Sequence, residues 1–541
     1  MPNVIKYTTG ATETGCLRKG NMLIGNNTAD YGLTFYNGIN PPDGGYTIYL
    51  NKATGGPSIY TANNNAELIS ITNQIAGTNY ITSAQCLEYY AGQTDKIVLN
   101  ANLSPIVTDG LILCLHASDV SSYPKTSNIW YDLSGYGNNF TPMVNMSFTG
   151  RSFDFNGTDS GVQDHISSYN PDSADSVMEL WFKPMDLSQE QAIFSDNYGP
   201  EYGFWIHSNG TLRAIAYASV YANLTVGKWY HAIMNIDPGA TKNSTDQTYV
   251  QLYLNGEYIG QSNANTGNGM NDQPFTLGYD YRSGSPTRYF SGSIAAASVY
   301  YGQFNQSEVS QNYYGGPIIT DDLVLALDAG NLVSFEDGST AWYDMVNSNY
   351  SASLVGNVSY STTYNGTLNA DGSQTSDYII LPHQVLDNDI SSNGAWSLEC
   401  WLRMDNTSGT TYFFSTATPS TTNGWIIQKN SNTIFPWNES LQNGSAISFT
   451  AEETFHLTLT INGSSIYLYK NGSYIGRYSY TKNITNATGW VLNQEQDALL
   501  GGFQSSQATD MGINIIRVYN KTLSSEEVLQ NFNAQRNRFG I

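Results

Sequence analysis

Polar and large apolar residues alternate over short stretches along most of the chain. The clearest stretches are ELWFKP at 179–184 and ECWLRM at 399–404. A period of two is typical of strands with one buried face, and turn-forming residues separate such strands at short intervals. The pattern therefore predicts an antiparallel β-sandwich or barrel with little helix.

Two tight turns are marked by an asparagine followed by a glycine. Asn255-Gly256 lies inside YLNGEYIG, and Asn471-Gly472 lies inside YKNGSYIG. Asn-Gly suits the positive φ angles of a type I′ turn, which joins two antiparallel strands directly. We therefore expect a β-hairpin at both places.

The chain repeats itself at a spacing of 212 residues. IVTDGLILCLHASD at 106–119 corresponds to IITDDLVLALDAGN at 318–331, and Trp-Tyr-Asp occurs at 130–132 and again at 342–344. Four further segments, including both alternating strands and both Asn-Gly hairpins, recur in the same order. The chain therefore contains two copies of one domain.

Each copy ends in a predicted helix. Ser524 and Glu527 have the spacing of a capping box ahead of an apolar run, and Asn305 and Glu308 have the same relation in the first copy. We place the first copy at 106–317 and the second at 318–541.

Residues 1–105 have no counterpart elsewhere in the chain. Two strands are predicted around the Gly-Gly-Pro turn at 55–57. One helix is predicted through Leu68, Ile71 and Ile75, and a second between Ser83 and Gly92. This part is therefore interpreted as a small α+β module.

Composition and charge exclude several classes of partner. The formal net charge is −23 and no run is rich in Lys or Arg, whereas proteins that bind nucleic-acid backbones need a cationic surface. No stretch approaches the ~18 apolar residues of a membrane span. The first residues have no apolar core, so we expect no secretory signal and synthesis in a reducing cytoplasm. We expect neither nucleic acid nor membrane as a partner.

The four cysteines show no metal-binding spacing. Cys114 and Cys400 stand in strand-like runs and are expected to be buried and unpaired. A disulfide between Cys16 and Cys86 is left open.

Several of these segments resemble the laminin-G-like and concanavalin-A-like jelly-roll family. They are FDFNGTDSGV at 153–162, KWYHAIMNI at 228–236, ELWFKP and YLNGEYIG. The resemblance implies a mainly β fold, with two tandem antiparallel sandwiches after the N-terminal module. Lectins, adhesion modules, hydrolases and structural proteins share this fold, so it implies no single function.

A second resemblance concerns the N-terminal region. GCLRKGNMLIG at 15–25 and FYNGINPPDGGYTIYLNKATGGPSIY at 35–60 resemble virion structural proteins of tailed phages, especially those of marine cyanobacteria. This resemblance implies a fibre, whisker or capsid-decoration protein located in the virion. It also implies that residues 1–105 bind other virion proteins, and the analogy with fibres implies a homotrimer.

Catalytic patterns are missing from the sequence. A concanavalin-A-like glycosidase is expected to carry Glu-x-Asp-x-(x)-Glu on one strand, which projects two carboxylates onto one face. Glu179 and Glu399 open matching strands, yet neither is followed two residues later by a carboxylate. His231 and His456 recur singly, as structural histidines do. We expect a protein that is not an enzyme, and a glycoside hydrolase is the least favoured alternative.

Calcium is the one metal that the sequence suggests, because loop carboxylates and amides suit a hard cation. The candidate ligands are Asp132, Asn138, Asp154 and Asp159. In the alternative interpretation Asp132, which recurs as Asp344, bonds its own loop as an Asx turn.

Carbohydrate binding is favoured over catalysis, since exposed aromatic rings and amides are the groups that hold sugars. Tyr202 and Trp437 lie in irregular stretches and are the candidate binding residues. Trp205 and Trp425 lie in matching strand-like runs, where a core position is the competing interpretation. The predicted function is a virion appendage whose sandwiches bind glycan or protein and can serve host attachment. The alternative is a purely particle-stabilising protein.

Overall fold

The computed structural model describes six strands and Ser70 before residue 106, and most of the chain from residue 106 to residue 541. Within 106–541 the description leaves out 126, 142, 165, 167–173, 197–201, 217, 238–246, 266–273, 283–284, 373–375, 383–393, 417–425, 438–445, 464, 480–488, 496–502 and 505.

The N-terminal strands form two small antiparallel sheets. Their bounds are β1 (Asn3–Thr8), β2 (Thr14–Lys19), β3 (Met22–Ile24), β4 (Tyr46–Leu50), β5 (Ser58–Ala62) and β6 (Lys96–Asn100). The sheet orders are β1-β2-β3 and β5-β4-β6. Leu50 pairs with Ser58, as expected of strands around the Gly-Gly-Pro turn. Apart from Ser70, both predicted helices, like Cys86, lie outside the described residues.

The first sandwich begins at residue 106 and ends in a helix. Its elements are β7 (Leu111–His116), β8 (Ser147–Phe148), β9 (Phe153–Asn156), β10 (Val162–Asp164), β11 (Ser176–Pro184), β12 (Gln191–Asp196), β13 (Tyr202–Ile206), β14 (Thr211–Ala216), β15 (Ala218–Asn223), β16 (Tyr230–Asp237), β17 (Gln247–Leu254), β18 (Glu257–Asn265), β19 (Phe275–Leu277), β20 (Asp280–Arg282), β21 (Ser285–Thr287), β22 (Ser291–Tyr301) and α1 (Gln306–Tyr314).

Two antiparallel sheets face each other in this sandwich. The front sheet has the order β10-β19-β12-β13-β14-β15. The helix-side sheet, on which α1 packs, has the order β18-β17-β16-β11-β22-β9-β8, with β7 paired to β22. Alternate side chains of both sheets meet in one apolar core, which includes Trp130, Phe153, Phe182 and Phe204.

The second sandwich repeats this plan. Its elements are β23 (Leu323–Asp328), β24 (Ala341–Tyr343), β25 (Ser351–Val355), β26 (Ser359–Ser361), a 3₁₀ turn (Thr363–Asn365), β27 (Thr367–Ala370), β28 (Tyr378–Leu381), β29 (Ala395–Met404), β30 (Thr410–Ser415), β31 (Ile426–Asn430), β32 (Thr433–Trp437), β33 (Ile447–Ser448), β34 (Glu453–Asn462), β35 (Ser465–Lys470), β36 (Ser473–Ser479), β37 (Trp490–Leu492), β38 (Met511–Tyr519) and α2 (Ser525–Phe539).

Its two sheets have eight strands each. The front sheet has the order β24-β25-β28-β37-β30-β31-β32-β33, and the helix-side sheet has the order β26-β27-β38-β29-β34-β35-β36, with β23 paired to β38. Trp342, Trp396, Phe414 and Trp490 lie in the core between them. The prediction of two tandem antiparallel sandwiches is confirmed.

The predicted hairpin turns and helix caps are also confirmed. Asn255 and Gly256 have φ angles of 52° and 80°, and Asn471 and Gly472 have 51° and 76°, as a type I′ turn requires. Ser524 and Glu527 form a capping box at the start of α2. Asn305 and Glu308 exchange the same pair of bonds at the start of α1.

The chain divides into two compact units. One contains Ile106–Tyr313, and the other contains Tyr314–Ile541 together with Met1–Pro105. The domain limits 1–105, 106–317 and 318–541 stay a prediction from sequence. Across the described part of the chain, no helix has the length and apolar character needed to cross a membrane.

Candidate functional site

The repeated Trp-Tyr-Asp segment holds a turn against the core. Trp130 is fully buried. The Asp132 carboxylate accepts the backbone N–H groups of Cys114 at 2.9 Å, Ser134 at 2.8 Å and Asn138 at 3.1 Å. Asp344 likewise accepts three backbone N–H groups at 2.8 to 3.1 Å. These bonds favour the Asx-turn interpretation, because the carboxylate oxygens already serve the fold.

The other candidate calcium ligands have partners of their own. Asp154 accepts the Ser293 hydroxyl at 2.6 Å. Asp159 accepts the side-chain amides of Asn145 at 2.8 Å and Asn156 at 2.7 Å. Among the residues that the structure describes, no group of three or more His, Cys, Asp or Glu side chains is placed to hold a metal ion. Calcium binding at these residues stays a prediction, and their hydrogen bonds require no ion.

The first candidate sugar-binding residue lies elsewhere than expected. Tyr202 begins β13 and is 0% exposed, packed in the core with Phe204 and Ile206. The prediction that Tyr202 is a surface residue is wrong, because the strand starts early enough to give it an inward position in the alternation. Trp437 ends β32 opposite Ile426, and its side chain lies outside the described part of the structure.

Trp205 faces the other way from Tyr202. It is buried, but it lies on the outer face of the front sheet, where it clusters with Ala192 and Ile215. The Arg288 guanidinium covers its ring at 5.6 Å from the ring centre, and Arg288 also pairs with Glu190 at 3.2 Å. Trp205 is therefore neither part of the main core nor an exposed platform.

A half-exposed aromatic residue stands two strands away on this outer face. Trp205, Arg213 and Tyr221 lie directly opposite one another across β13, β14 and β15. Tyr221 is 45% exposed. His207 contacts it edge-on, with ring centres 5.3 Å apart at 78°. The row offers an aromatic face beside a guanidinium and an imidazole, so it can stack on an apolar surface and donate hydrogen bonds.

Arg213 and the neighbouring turn are held in place. Its Nε donates to the Ser219 hydroxyl at 3.1 Å, and Asn209 accepts the Thr211 hydroxyl at 2.7 Å. Sequence reasoning missed this row. The sequence does contain a signal for it, because outward and inward residues alternate in TLRAIA and again in ASVYAN. The outward residues of these two segments become neighbours only when β14 pairs with β15.

The matching strand glutamates are buried in the helix-side sheets. Glu179 accepts hydrogen bonds from Tyr300 at 2.8 Å and Asn312 at 3.0 Å, and lies 2.7 Å from His231 Nε2. Burial acts to raise the pKa of Glu179, but the bonds from His231, Tyr300 and Asn312 outweigh it and hold that pKa below its usual value. Asn312 also accepts the N–H of Val107 at 2.7 Å. The network ties α1 and the entering chain to the sheet.

The second sandwich has a corresponding network around Glu399, in which Arg517 adds a cation and the Tyr519 hydroxyl accepts from Asn531 at 2.9 Å. Glu399 accepts Arg517 Nη1 at 2.6 Å and Asn531 Nδ2 at 2.5 Å, and His456 Nε2 lies 3.2 Å away. Burial acts to raise the pKa of Glu399, but the Arg517 charge and the bonding partners lower it to about 2. Asn531 accepts the N–H of Ile319 at 2.7 Å. Both glutamates are structural and inaccessible to a substrate.

A polar cleft of about 370 Å³ opens in the second sandwich, lined by Asn357, Ser359, Asn369, Ala370, Asp371, Asp377 and Asp510. Asp377 is held by the Asn357 N–H at 3.0 Å and the Ser376 hydroxyl at 2.9 Å. Burial and the nearby charges of Asp405 and Asp371 raise the pKa of Asp510. The lining has amides and carboxylates without an aromatic ring, so it lacks the stacking surface present at Tyr221.

Comparison with known proteins decides the family. The sequence profile described as "Concanavalin A-like lectin/glucanases superfamily" matches residues 156–310 and again 371–529, together more than half of the chain. The chain belongs to this superfamily. Its two sandwiches are thus concanavalin A-like domains of the carbohydrate-binding type.

Solved structures resemble this superfamily member only distantly. Domain 4 of the arabinanase AbnA from Geobacillus stearothermophilus is 18% identical, with 38% of this chain and 98% of that chain covered at a TM-score of 0.26. The botulinum neurotoxin serotype D binding domain is 14% identical, with coverages of 71% and 96% and a TM-score of 0.33. A search of curated proteins found no match.

Proposed function

We propose that this protein is a virion appendage of a tailed phage whose concanavalin A-like sandwiches bind carbohydrate on the host surface. Membership of the superfamily supports carbohydrate binding, and the N-terminal sequence at 15–60 supports a virion role. The observation that carries the proposal is the half-exposed Tyr221 on the outer face of the first front sheet.

Tyr221 has the properties of a sugar-stacking residue. Its ring is braced by His207, and Arg213 lies beside it in the row across the strands. The apolar face of a sugar ring would cover much of the exposed tyrosine, which stabilises a complex by about 2 kcal/mol at most. Arg213 and His207 can donate hydrogen bonds to hydroxyl or carboxylate oxygens of the same ligand.

The proposal is of a binding protein and not an enzyme. Glycoside hydrolysis needs two accessible carboxylates flanking the scissile bond. Glu179 and Glu399, the glutamates that open the matching strands, are buried and bonded to structural partners. Glu190 and Asp280, near the Tyr221 row, are paired with Arg288.

The test is glycan binding by the full-length chain and two variants. Tyr221→Ala should weaken binding about tenfold, because the stacking surface is lost while the strand remains. Tyr136→Ala is the matched control, since Tyr136 is an exposed tyrosine of the Trp-Tyr-Asp turn. Equal binding by all three proteins, or no binding by any of them, would overturn this assignment of the site.

In this proposal residues 1–105 attach the chain to other virion proteins, the sandwiches carry the ligand, and the chain assembles as a homotrimer. Symmetric assembly is usual for components present in many copies. The competing role is a particle-stabilising protein whose sandwiches pack on neighbouring virion proteins.

A further inference from the structure

Each sandwich presents an exposed tyrosine on the edge hairpin of its helix-side sheet. Tyr258 in β18 is 49% exposed, and Tyr474 in β36 is 53% exposed. Both strands lie at the edge of their sheets. Each tyrosine follows its Asn-Gly turn by the same number of residues, so the two occupy one position of the repeat. About half of each ring is in contact with water, so packing of the fold does not explain why a large aromatic side chain occurs at this position in both sandwiches.

A β-bulge gives Tyr258 a polar companion. The pairing of β17 with β18 shifts after Leu252, so that Ile259 has no opposite residue. The extra residue changes the alternation locally. Tyr258 and Gln261, three positions apart, therefore lie on the same outer face, where Gln261 bonds Gln251 at 3.3 Å.

The same bulge occurs in the second sandwich. The pairing of β35 with β36 shifts after Leu468, so that Tyr474 and Arg477 share the outer face. Tyr467 lies opposite Arg477, with its ring centre 6.4 Å from that of Tyr474. Both sandwiches therefore have the bulge and the exposed tyrosine, but the neighbouring polar groups differ. They are the amides of Gln251 and Gln261 in the first sandwich, and the Tyr467 phenol and the Arg477 guanidinium in the second.

A buried tyrosine supports each exposed ring. Tyr253 meets Tyr258 edge-on, with ring centres 5.4 Å apart at 63°. Tyr469 meets Tyr474 at 5.6 Å and 64°. Tyr253 and Tyr469 are buried. Because the exposed rings are already held in position, a ligand that covers them loses little side-chain entropy.

From these contacts we propose that each of these hairpins is a saccharide-binding platform. A sugar residue stacks its apolar face on Tyr258 or Tyr474 and bonds its hydroxyl groups to the adjacent polar side chains. Gln251 and Gln261 suit a neutral sugar, since amides both donate and accept. Arg477 suits an acidic sugar, whose carboxylate the guanidinium can bind. These platforms lie on the helix-side sheets, so they are independent of the Tyr221 row.

The test applies full-length protein to an array of neutral and acidic glycans. Tyr258→Ala and Tyr474→Ala should each weaken binding about tenfold for a subset of glycans, with acidic glycans affected more by Tyr474→Ala. The matched variants Tyr258→Phe and Tyr474→Phe keep the ring and should retain most of the binding. Tyr136→Ala again controls for the loss of an exposed tyrosine elsewhere.

Three results would overturn the platforms. One is glycan binding that is the same in Tyr258→Ala and Tyr474→Ala as in the unsubstituted protein. Another is the absence of glycan binding by the unsubstituted protein. The third is a change in molar mass by light scattering in the double variant, which would make the hairpins a contact between protein chains. Loss of glycan binding in Tyr221→Ala alone would support the proposed function and reject the platforms. Loss of glycan binding in Tyr258→Ala and Tyr474→Ala, but not in Tyr221→Ala, would support the platforms and reject the Tyr221 site.

Discussion

At the scale of single residues, Glu179 and Glu399 occupy one position of the repeat but face different neighbours across the sheet. Ser298 lies opposite Glu179, whereas Arg517 lies opposite Glu399. A carboxylate buried beside a guanidinium depends on that partner, because breaking such a pair leaves an uncompensated charge. The first network relies instead on neutral donors and on His231.

The second sandwich should lose stability in acid through Glu399. Its pKa is about 2 when folded, against 4.5 as the ordinary value. A depressed folded pKa contributes stability that is present above pH 4.5 and is lost as the pH falls toward 2, roughly 3 kcal/mol in total. Glu399→Gln removes this titration. The difference in unfolding free energy between wild type and the variant should therefore shrink as the pH falls from 4.5 toward 2, as measured by calorimetric or denaturant unfolding.

The matched variant is Glu179→Gln in the first sandwich. At neutral pH Glu179→Gln should lower the free energy of unfolding by less than Glu399→Gln does, because no buried guanidinium loses its partner in the first sandwich. Removal of one member of a buried ion pair costs about 3–5 kcal/mol. A pH-independent difference between wild type and Glu399→Gln would contradict the assignment of Glu399 as the titrating group.

At the scale of elements, each terminal helix is tied to its sheet and to the chain that enters the sandwich. Asn312 on α1 bonds Glu179 and the Val107 N–H, and Asn531 on α2 does the same with Glu399 and Ile319. One asparagine thus joins three elements that are far apart in sequence. It can do so because its amide donates on one side and accepts on the other.

Asn312→Ala should loosen the entry segment of the first sandwich. The substitution leaves the Val107 N–H without its acceptor and one acceptor site on the Glu179 carboxylate without its donor, at a cost of about 1–3 kcal/mol. Hydrogen exchange at Val107 should accelerate in the variant, while exchange in the front sheet should change little. Unchanged exchange at Val107 would show that the Asn312 bond does not hold this segment.

At the scale of the whole molecule, both sandwiches have a buried network around the matching glutamate and an exposed tyrosine on the edge hairpin, while other surface groups differ between them. Glu179, His231, Tyr300 and Asn312 each have an equivalent in the second sandwich. Within the described residues, the Tyr221 row is found in the first sandwich and the 370 Å³ cleft in the second. Different surfaces on a common scaffold suit a protein that presents several binding faces.

The proposed virion role predicts where the protein is found. Specific labelling of intact phage particles, viewed by electron microscopy, should place it at a tail or neck appendage if it binds host glycans. Label spread over the capsid, together with no glycan binding, would favour the particle-stabilising role. Absence of label from purified particles would reject a virion protein.

The sequence by itself determined the duplication, the antiparallel strands, the type I′ turns and the helix caps. Those features depend on residues close together in the chain, such as Asn255 with Gly256 or Ser524 with Glu527. Only the tertiary structure decided that Tyr202 points inward while Tyr221 points outward. The face that a strand residue presents depends on strand limits, register and bulges, and one residue of shift reverses it.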